Sequence, residues 1–109
     1  MSSTSCVYTC SSPGQPLTKV ERDENDNVTS TEVEVFPGDI NHSQDGCNWG
    51  YQGSGPAQCA AAILWDYYGE DIARKLYMRF KAEIISQCPG NRPLVIPASR
   101  IVEWFGGIR

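Results

Sequence analysis

Hydrophobic and polar residues alternate along the first third of the chain with the period of two that is typical of half-buried β-strands. The clearest case is Glu32-Val33-Glu34-Val35, where the glutamates fall on one face and the valines on the other. The pattern predicts three short strands, over residues 6–10, 17–21 and 28–36. Clusters of proline, glycine, asparagine and aspartate between them predict turns at residues 12–14, 23–27 and 37–39. We therefore expect a small antiparallel sheet whose outward face carries Glu32 and Glu34.

The second half of the chain has the patterns of helices. Residues 56–68 are apolar nearly all round, which is typical of a buried helix, and Gly69 is placed to end it. Residues 70–87 show an apolar stripe at helical spacing with charged i,i+4 pairs on the other face. Pro97 is expected to begin a short final helix.

These elements predict one α+β domain over residues 1–109. In it, a small antiparallel sheet from residues 5–40 packs on two or three helices from residues 56–105. Residues 1–4 are expected to be disordered.

A glycine-rich loop joins the two halves, and residues 49–58 read W-G-Y-Q-G-S-G-P-A-Q. Glycine allows a positive φ or a close approach of the backbone. With Gly55 as the N-cap, Gln58 falls at the N3 position, where it could bond the Gly55 N–H as half of a capping box. Such a loop serves either tight packing on the helix or the binding of a small ligand. The residues available to a ligand would be Trp49, Tyr51, Gln52, Ser54 and Gln58.

This loop and helix block, the later pattern Tyr77-x-x-Phe80-Lys81 and the closing Ile101-x-x-Trp104 resemble a small uncharacterised family. That family is associated with bacteriophages and with bacterial or archaeal genomes. The resemblance covers roughly the C-terminal half of the chain. It implies a small α+β fold and a mobile-element origin, and it brings no catalytic residue, cofactor or substrate.

Charge is unevenly divided along the 109 residues, whose net charge is −4. Residues 1–56 contain two basic and eight acidic residues, whereas residues 57–109 contain seven basic and five acidic residues. An acidic half repels a phosphate backbone, so nucleic acid is an unfavoured partner and a basic protein surface is a favoured one. The candidate partner-binding residues are Asp23, Glu24, Asp26, Glu32 and Glu34. The basic residues of the second half alternate with acids, as on a solvated helix face.

The first residues lack the basic and apolar segments of a signal peptide, and no segment has the length and apolarity of a membrane span. We therefore expect a cytoplasmic protein without a membrane partner. The five cysteines are expected to be reduced thiols in that compartment. A zinc site built from Cys6, Cys10, Cys47 and His42 would have a spacing that fits no zinc pattern, so we expect no metal.

Two further patterns resemble known sites without completing them. Asp23, Asn25, Asn27 and Glu34 have the spacing of an EF-hand calcium loop, but Val28 stands where the sharp turn needs glycine. The segment from Ser54 to Gly69 resembles the nucleophile helix of papain-like peptidases of the bacteriocin-processing type. It has serine at the nucleophile position, and the chain has no histidine downstream to act as a base.

These observations favour a non-catalytic function without a cofactor. We expect a phage or mobile-element protein that binds and inhibits a host protein with a basic surface, such as a component of a CRISPR-type antiviral defence. The first alternative is a small-ligand-binding protein or an enzyme that uses the loop at residues 50–58. The second alternative is a DNA-associated regulator. The sequence leaves the oligomeric state open.

Overall fold

The computed structural model describes residues 5–44 and 46–108. The expected disorder of residues 1–4 lies outside this part of the chain. The strands are β1 (Ser5–Cys10), β2 (Leu17–Arg22), β3 (Val28–Val33) and β4 (Leu94–Pro97). The helices are α1 (Ser54–Tyr68), α2 (Glu70–Glu83) and α3 (Ala98–Gly106), with one 3-10 turn at Ile85–Gln87. The predicted α+β class is confirmed.

The strands form one antiparallel sheet in the order β3-β2-β1-β4. The sequence pattern does not predict β4, because this short segment is bounded by Pro93 and Pro97. Proline is tolerated in an edge strand, where a missing N–H removes no bond to a neighbour. The strand predicted for residues 28–36 ends at Val33, and beyond it the chain leaves the sheet.

One face of the sheet packs against the helices. The buried side chains on this face occupy alternate positions of each strand, as a half-buried sheet requires. They are Tyr8, Cys10, Leu17, Val33, Leu94 and Ile96. Residues 55–64 of α1 are all buried in the same core, as predicted for a helix without a polar face.

The helices differ from the expectation in where α1 begins, in how α1 is capped and in where α2 ends. The α1 helix begins at Ser54 after the extended residue Gly53, and no side chain caps it. The capping box predicted for Gly55 and Gln58 is therefore wrong. Gly69 ends α1 as predicted, with a φ of 95°. The α2 helix ends at Glu83 instead of residue 87, and the 3-10 turn follows it.

No helix in the described ranges is long and apolar enough to cross a membrane.

Candidate functional site

The five candidate carboxylates do not form one equivalent set. At the turn between β2 and β3, Oδ1 of Asp23 accepts hydrogen bonds from the backbone N–H groups of Asn25, at 2.8 Å, and Asn27, at 2.9 Å. Its Oδ2 accepts a third from Nδ2 of Asn27 at 3.1 Å. These bonds favour the ionised carboxylate and lower the pKa of Asp23. Asp23 therefore holds the turn.

Asp26 also has a role in this turn. Its φ of 64° is in the left-handed region, which aspartate tolerates better than most residues. Its N–H donates to the carbonyl of Asp23 at 3.1 Å. Turn formation thus explains why residues with the spacing of a calcium loop stand here.

The remaining carboxylates, on Glu24, Glu32 and Glu34, are exposed. Glu24 is at the tip of the hairpin, and Glu32 is on β3 opposite Thr18 of β2. Oε1 of Glu34 accepts the N–H of Phe36 at 2.9 Å. These three residues form an acidic strip along β3 and just beyond each of its ends.

A small cleft lies where the acidic strip ends. It has a volume of about 190 Å³ and is lined by Val33, Glu34, Pro37, Gly38, Ala62, Trp65 and Asp66. The Arg74 guanidinium lies 5.2 Å from the centre of the Trp65 ring and pairs with Asp39 at 2.7 Å. Gly38 is required here, because a Cβ on it would lie 2.7 Å from the indole.

The residues of the glycine-rich loop are divided between the interior and the surface. Trp49 is buried, and its Nε1 donates to the carbonyl of Arg92 at 2.9 Å. Gly50 has a φ of 85° and lies so close to Gly90 that a Cβ would be 2.7 Å from its Cα. Tyr51 is 47% exposed, and its ring lies against Gly53. Gln52 and Ser54 are exposed.

Gln58 is fully buried and points away from the loop surface. Its Nε2 donates to the carbonyls of Val35 and Ile40, and its Oε1 accepts the N–H of His42 at 2.6 Å. The side chain therefore anchors the segment at residues 35–42 to α1. This internal role explains a glutamine on an otherwise apolar helix better than ligand binding does.

The cysteines also differ from the expectation. Cys47 and Cys59 form a disulfide, so these two are not the reduced thiols that the sequence suggested. The loop after Cys47 turns back onto α1 and brings its sulfur to the second turn of the helix. No local sequence pattern marks this pair, because the contact exists only once the loop has folded back onto the helix.

The other three cysteines are free. Burial is the main cause that raises the pKa of Cys6, Cys10 and Cys88, so each is a neutral thiol near pH 7. The residues considered for zinc have other partners. Cys10 donates to the carbonyl of Ser12 at 3.1 Å, and Nε2 of His42 is hydrogen-bonded to the Tyr77 hydroxyl at 2.7 Å.

A polar open cavity of about 500 Å³ lies beside the disulfide. It is lined by Pro13, Gly14, Ser43, Gln44, Cys47, Asn48 and Tyr51. Tyr51 is the member of the predicted ligand set that lines it. The amide and hydroxyl groups of its wall could hydrogen-bond a small polar molecule.

A cluster of Tyr8, Lys19 and Asp66 was missed by the sequence analysis. The Tyr8 hydroxyl donates to Oδ2 of Asp66 at 2.6 Å, and Nζ of Lys19 lies 3.0 Å from the same oxygen. Burial is the main cause that raises the pKa of Tyr8, and the hydrogen bond to Asp66 raises that of Lys19. The cluster joins β1 and β2 to the end of α1. It also engages Lys19, one of the two cations of the acidic half.

Neither the curated proteins nor the solved structures contain a match to this chain. A family match, however, runs from residue 15 to residue 107. It extends beyond the C-terminal half to include β2, β3, the acidic strip and the glycine-rich loop. The chain therefore belongs to DUF6166, a family of unknown function.

Proposed function

We propose that this protein is a non-catalytic binding protein whose acidic strip, Glu24, Glu32 and Glu34, engages a basic surface of a partner protein. The observation that carries the proposal is the exposure of these three carboxylates, at the hairpin tip, on β3 and just after its last residue. Lys19 does not offset them, because it is paired with Asp66. Complementary charge of this kind accelerates association and selects partners.

The chemistry of the nucleophilic side chains supports a function without catalysis. A thiol must ionise to act as a nucleophile, and burial raises the pKa of each free cysteine. Ser54 would need a neighbouring base, and the imidazole of His42 is already hydrogen-bonded to Tyr77.

The mobile-element origin implied by the resemblance suggests the biological role. We infer that the partner is a host protein that the bound chain blocks, such as a component of a CRISPR-type defence. The protein would then act in the host cytoplasm, a reducing compartment in which disulfides such as Cys47–Cys59 are rare.

The test compares capture of partner proteins from a lysate of the host cell. The double reversal Glu24→Lys with Glu32→Lys reverses the charge of two of the three carboxylates of the strip and leaves the turn bonds of Asp23 intact. The control, Asp71→Lys with Glu103→Lys, changes the net charge equally on exposed positions of α2 and α3. We expect about tenfold less capture by the strip variant and unchanged capture by the control, with binding by the wild type weakened by salt. Equal capture by both variants would contradict the proposal.

The polar cavity beside the disulfide favours a second candidate function, the binding of a small polar molecule. A thermal-shift screen with nucleotides, amino acids and organic acids would test it. On this hypothesis, a ligand raises the melting temperature of the wild type but not of the variant Ser43→Ala with Gln44→Ala. A screen in which no compound shifts the wild type would remove this candidate.

A further inference from the structure

The two edges of the sheet differ in how they are protected. The β4 edge is a strand of four residues bounded by Pro93 and Pro97, and proline prevents a further strand from pairing there. The β3 edge has six residues and contains no proline. Its first five residues are all exposed. The sheet is therefore closed to strand addition on one side and open on the other.

The register shows which backbone groups β3 presents to solvent. The N–H of Asp23 donates to the carbonyl of Asn27 at 3.0 Å, which makes this a hydrogen-bonded pair of the hairpin. Hydrogen-bonded and non-hydrogen-bonded pairs alternate along an antiparallel ladder. Residues 29, 31 and 33 thus bond β2, whereas the N–H and C=O groups of Val28, Ser30 and Glu32 point outward.

We infer that the β3 edge binds an extended, basic segment of the partner protein as a fifth strand of the sheet. This inference rests on the proposed function and specifies how the acidic strip would be used. The outward groups of Ser30 and Glu32 would supply the main-chain hydrogen bonds. The carboxylates of Glu24, Glu32 and Glu34 would select a segment that carries lysine or arginine.

The cleft at the end of β3 provides an anchor for such a segment. A segment that continues past Val33 would place a side chain at a slot with apolar walls from Val33, Ala62 and Trp65, and Glu34 also lines this slot. Lysine and arginine fit this combination, because their stems are apolar and their ends are cationic. A second copy of this chain fits it less well, since it would bring its own acidic strip against the first.

The experiment titrates the protein with a synthetic peptide of about eight alternating lysine and valine residues, long enough to span β3. Binding is followed by NMR of the backbone amides. We expect the largest shifts on β3 and slower hydrogen exchange at the amides of Ser30 and Glu32. Shifts confined to other elements, or no binding, would overturn the inference.

Two variants at one position separate main-chain pairing from charge. Ser30→Pro removes an outward N–H without removing a bond to β2, and the control Ser30→Ala keeps that N–H. We expect about tenfold weaker peptide binding by Ser30→Pro and unchanged binding by Ser30→Ala. Equal binding by both would show that the edge is not used.

The peptide provides a test that does not depend on how a variant folds. Methylation of every second backbone nitrogen leaves the charge of the peptide unchanged and removes half of its N–H donors. Two such peptides exist, methylated at the odd or at the even positions, and we expect one of them to bind about tenfold more weakly.

The variant Glu34→Gln keeps the acceptor for the N–H of Phe36 and should weaken peptide binding severalfold by removing charge from the cleft. If the free protein forms dimers and Ser30→Pro abolishes them, the edge binds a second copy of this chain and the inference is overturned.

The proposed function and this inference can fail separately. If the strip variant loses its partner in the lysate while Ser30→Pro keeps it, the acidic surface binds by side chains alone and the fifth strand is excluded. If the peptide pairs with β3 but the strip variant captures the same proteins as the control, the proposed function is wrong.

Discussion

Gln58 of α1 donates a hydrogen bond to the carbonyl of Val35, 23 positions earlier in the chain. The same amide also bonds Ile40 and His42, so one buried side chain satisfies three backbone groups of a segment that has no regular structure. This segment forms one wall of the cleft beside the acidic strip. Gln58 therefore determines the shape of the candidate binding surface without touching solvent.

Replacement of Gln58 should be costly. Gln58→Ala leaves buried backbone groups without partners, and we expect a loss of about 2–4 kcal/mol in the free energy of unfolding. Gln58→Glu should also destabilise the protein near pH 7, because a carboxylate cannot donate to two carbonyls. Urea unfolding measures both, with the exposed Gln87→Ala as the control. A loss below about 1 kcal/mol in Gln58→Ala would contradict the role given to this amide.

Reduction of the disulfide should also lower stability. Cys47 and Cys59 are separated by 12 positions, and closing a loop of this size contributes about 3 kcal/mol through the unfolded state. A reductant should therefore lower the melting temperature of the wild type by roughly 10 °C or more. Cys47→Ser should melt at this lower temperature with or without reductant, while Cys6→Ser should respond as the wild type does. Alkylation of all five cysteines in denaturant without reductant would disprove the bond.

The elements that the sequence predicts are those determined by local patterns. The alternation at residues 32–35 and the apolar helix before Gly69 show burial within a few residues of chain, so the presence of β3 and α1 could be predicted, although β3 ends at Val33 and α1 begins at Ser54. The β4 strand could not, because its pairing with β1 depends on residues more than 80 positions away. Two prolines made its sequence look like a loop.

The same reasoning explains which parts of the site were found. The amino-acid composition reveals that the strip is acidic. The different roles of Asp23, which holds the turn, and Glu24, which is exposed, depend on hydrogen bonds that form only in the folded turn. The bond from Tyr8 to Asp66 joins positions 58 apart. No local pattern marks such a pair, since an aspartate near a helix end is also common on the surface.

The turn bonds of Asp23 make the hairpin sensitive to acid. Hydrogen bonds from Asn27 and Asn25 lower the pKa of this carboxyl. Its contribution to stability is therefore present above the unfolded pKa of about 3.9 and is lost as the pH falls through the lower, folded value. We expect Asp23→Ala to be less stable than the wild type at neutral pH, with the difference shrinking in strong acid. Urea midpoints across pH 2–7 measure this, and Glu24→Ala is the control at the same turn. A difference that does not change with pH would contradict the assignment.

Two glycines with similar positive φ values should respond differently to alanine. Gly50 and Gly69 have φ values of 85° and 95°, so alanine is strained at both. A Cβ at Gly69 meets no atom within 4 Å, whereas one at Gly50 would lie 2.7 Å from the Gly90 backbone. We expect Gly69→Ala to cost about 1–2 kcal/mol, which is strain alone, and Gly50→Ala to cost at least about 1 kcal/mol more. Urea unfolding of the two variants isolates the contact. Equal losses would show that the loop can move away from Gly90, and the tight packing assigned to the glycine-rich loop would then be wrong.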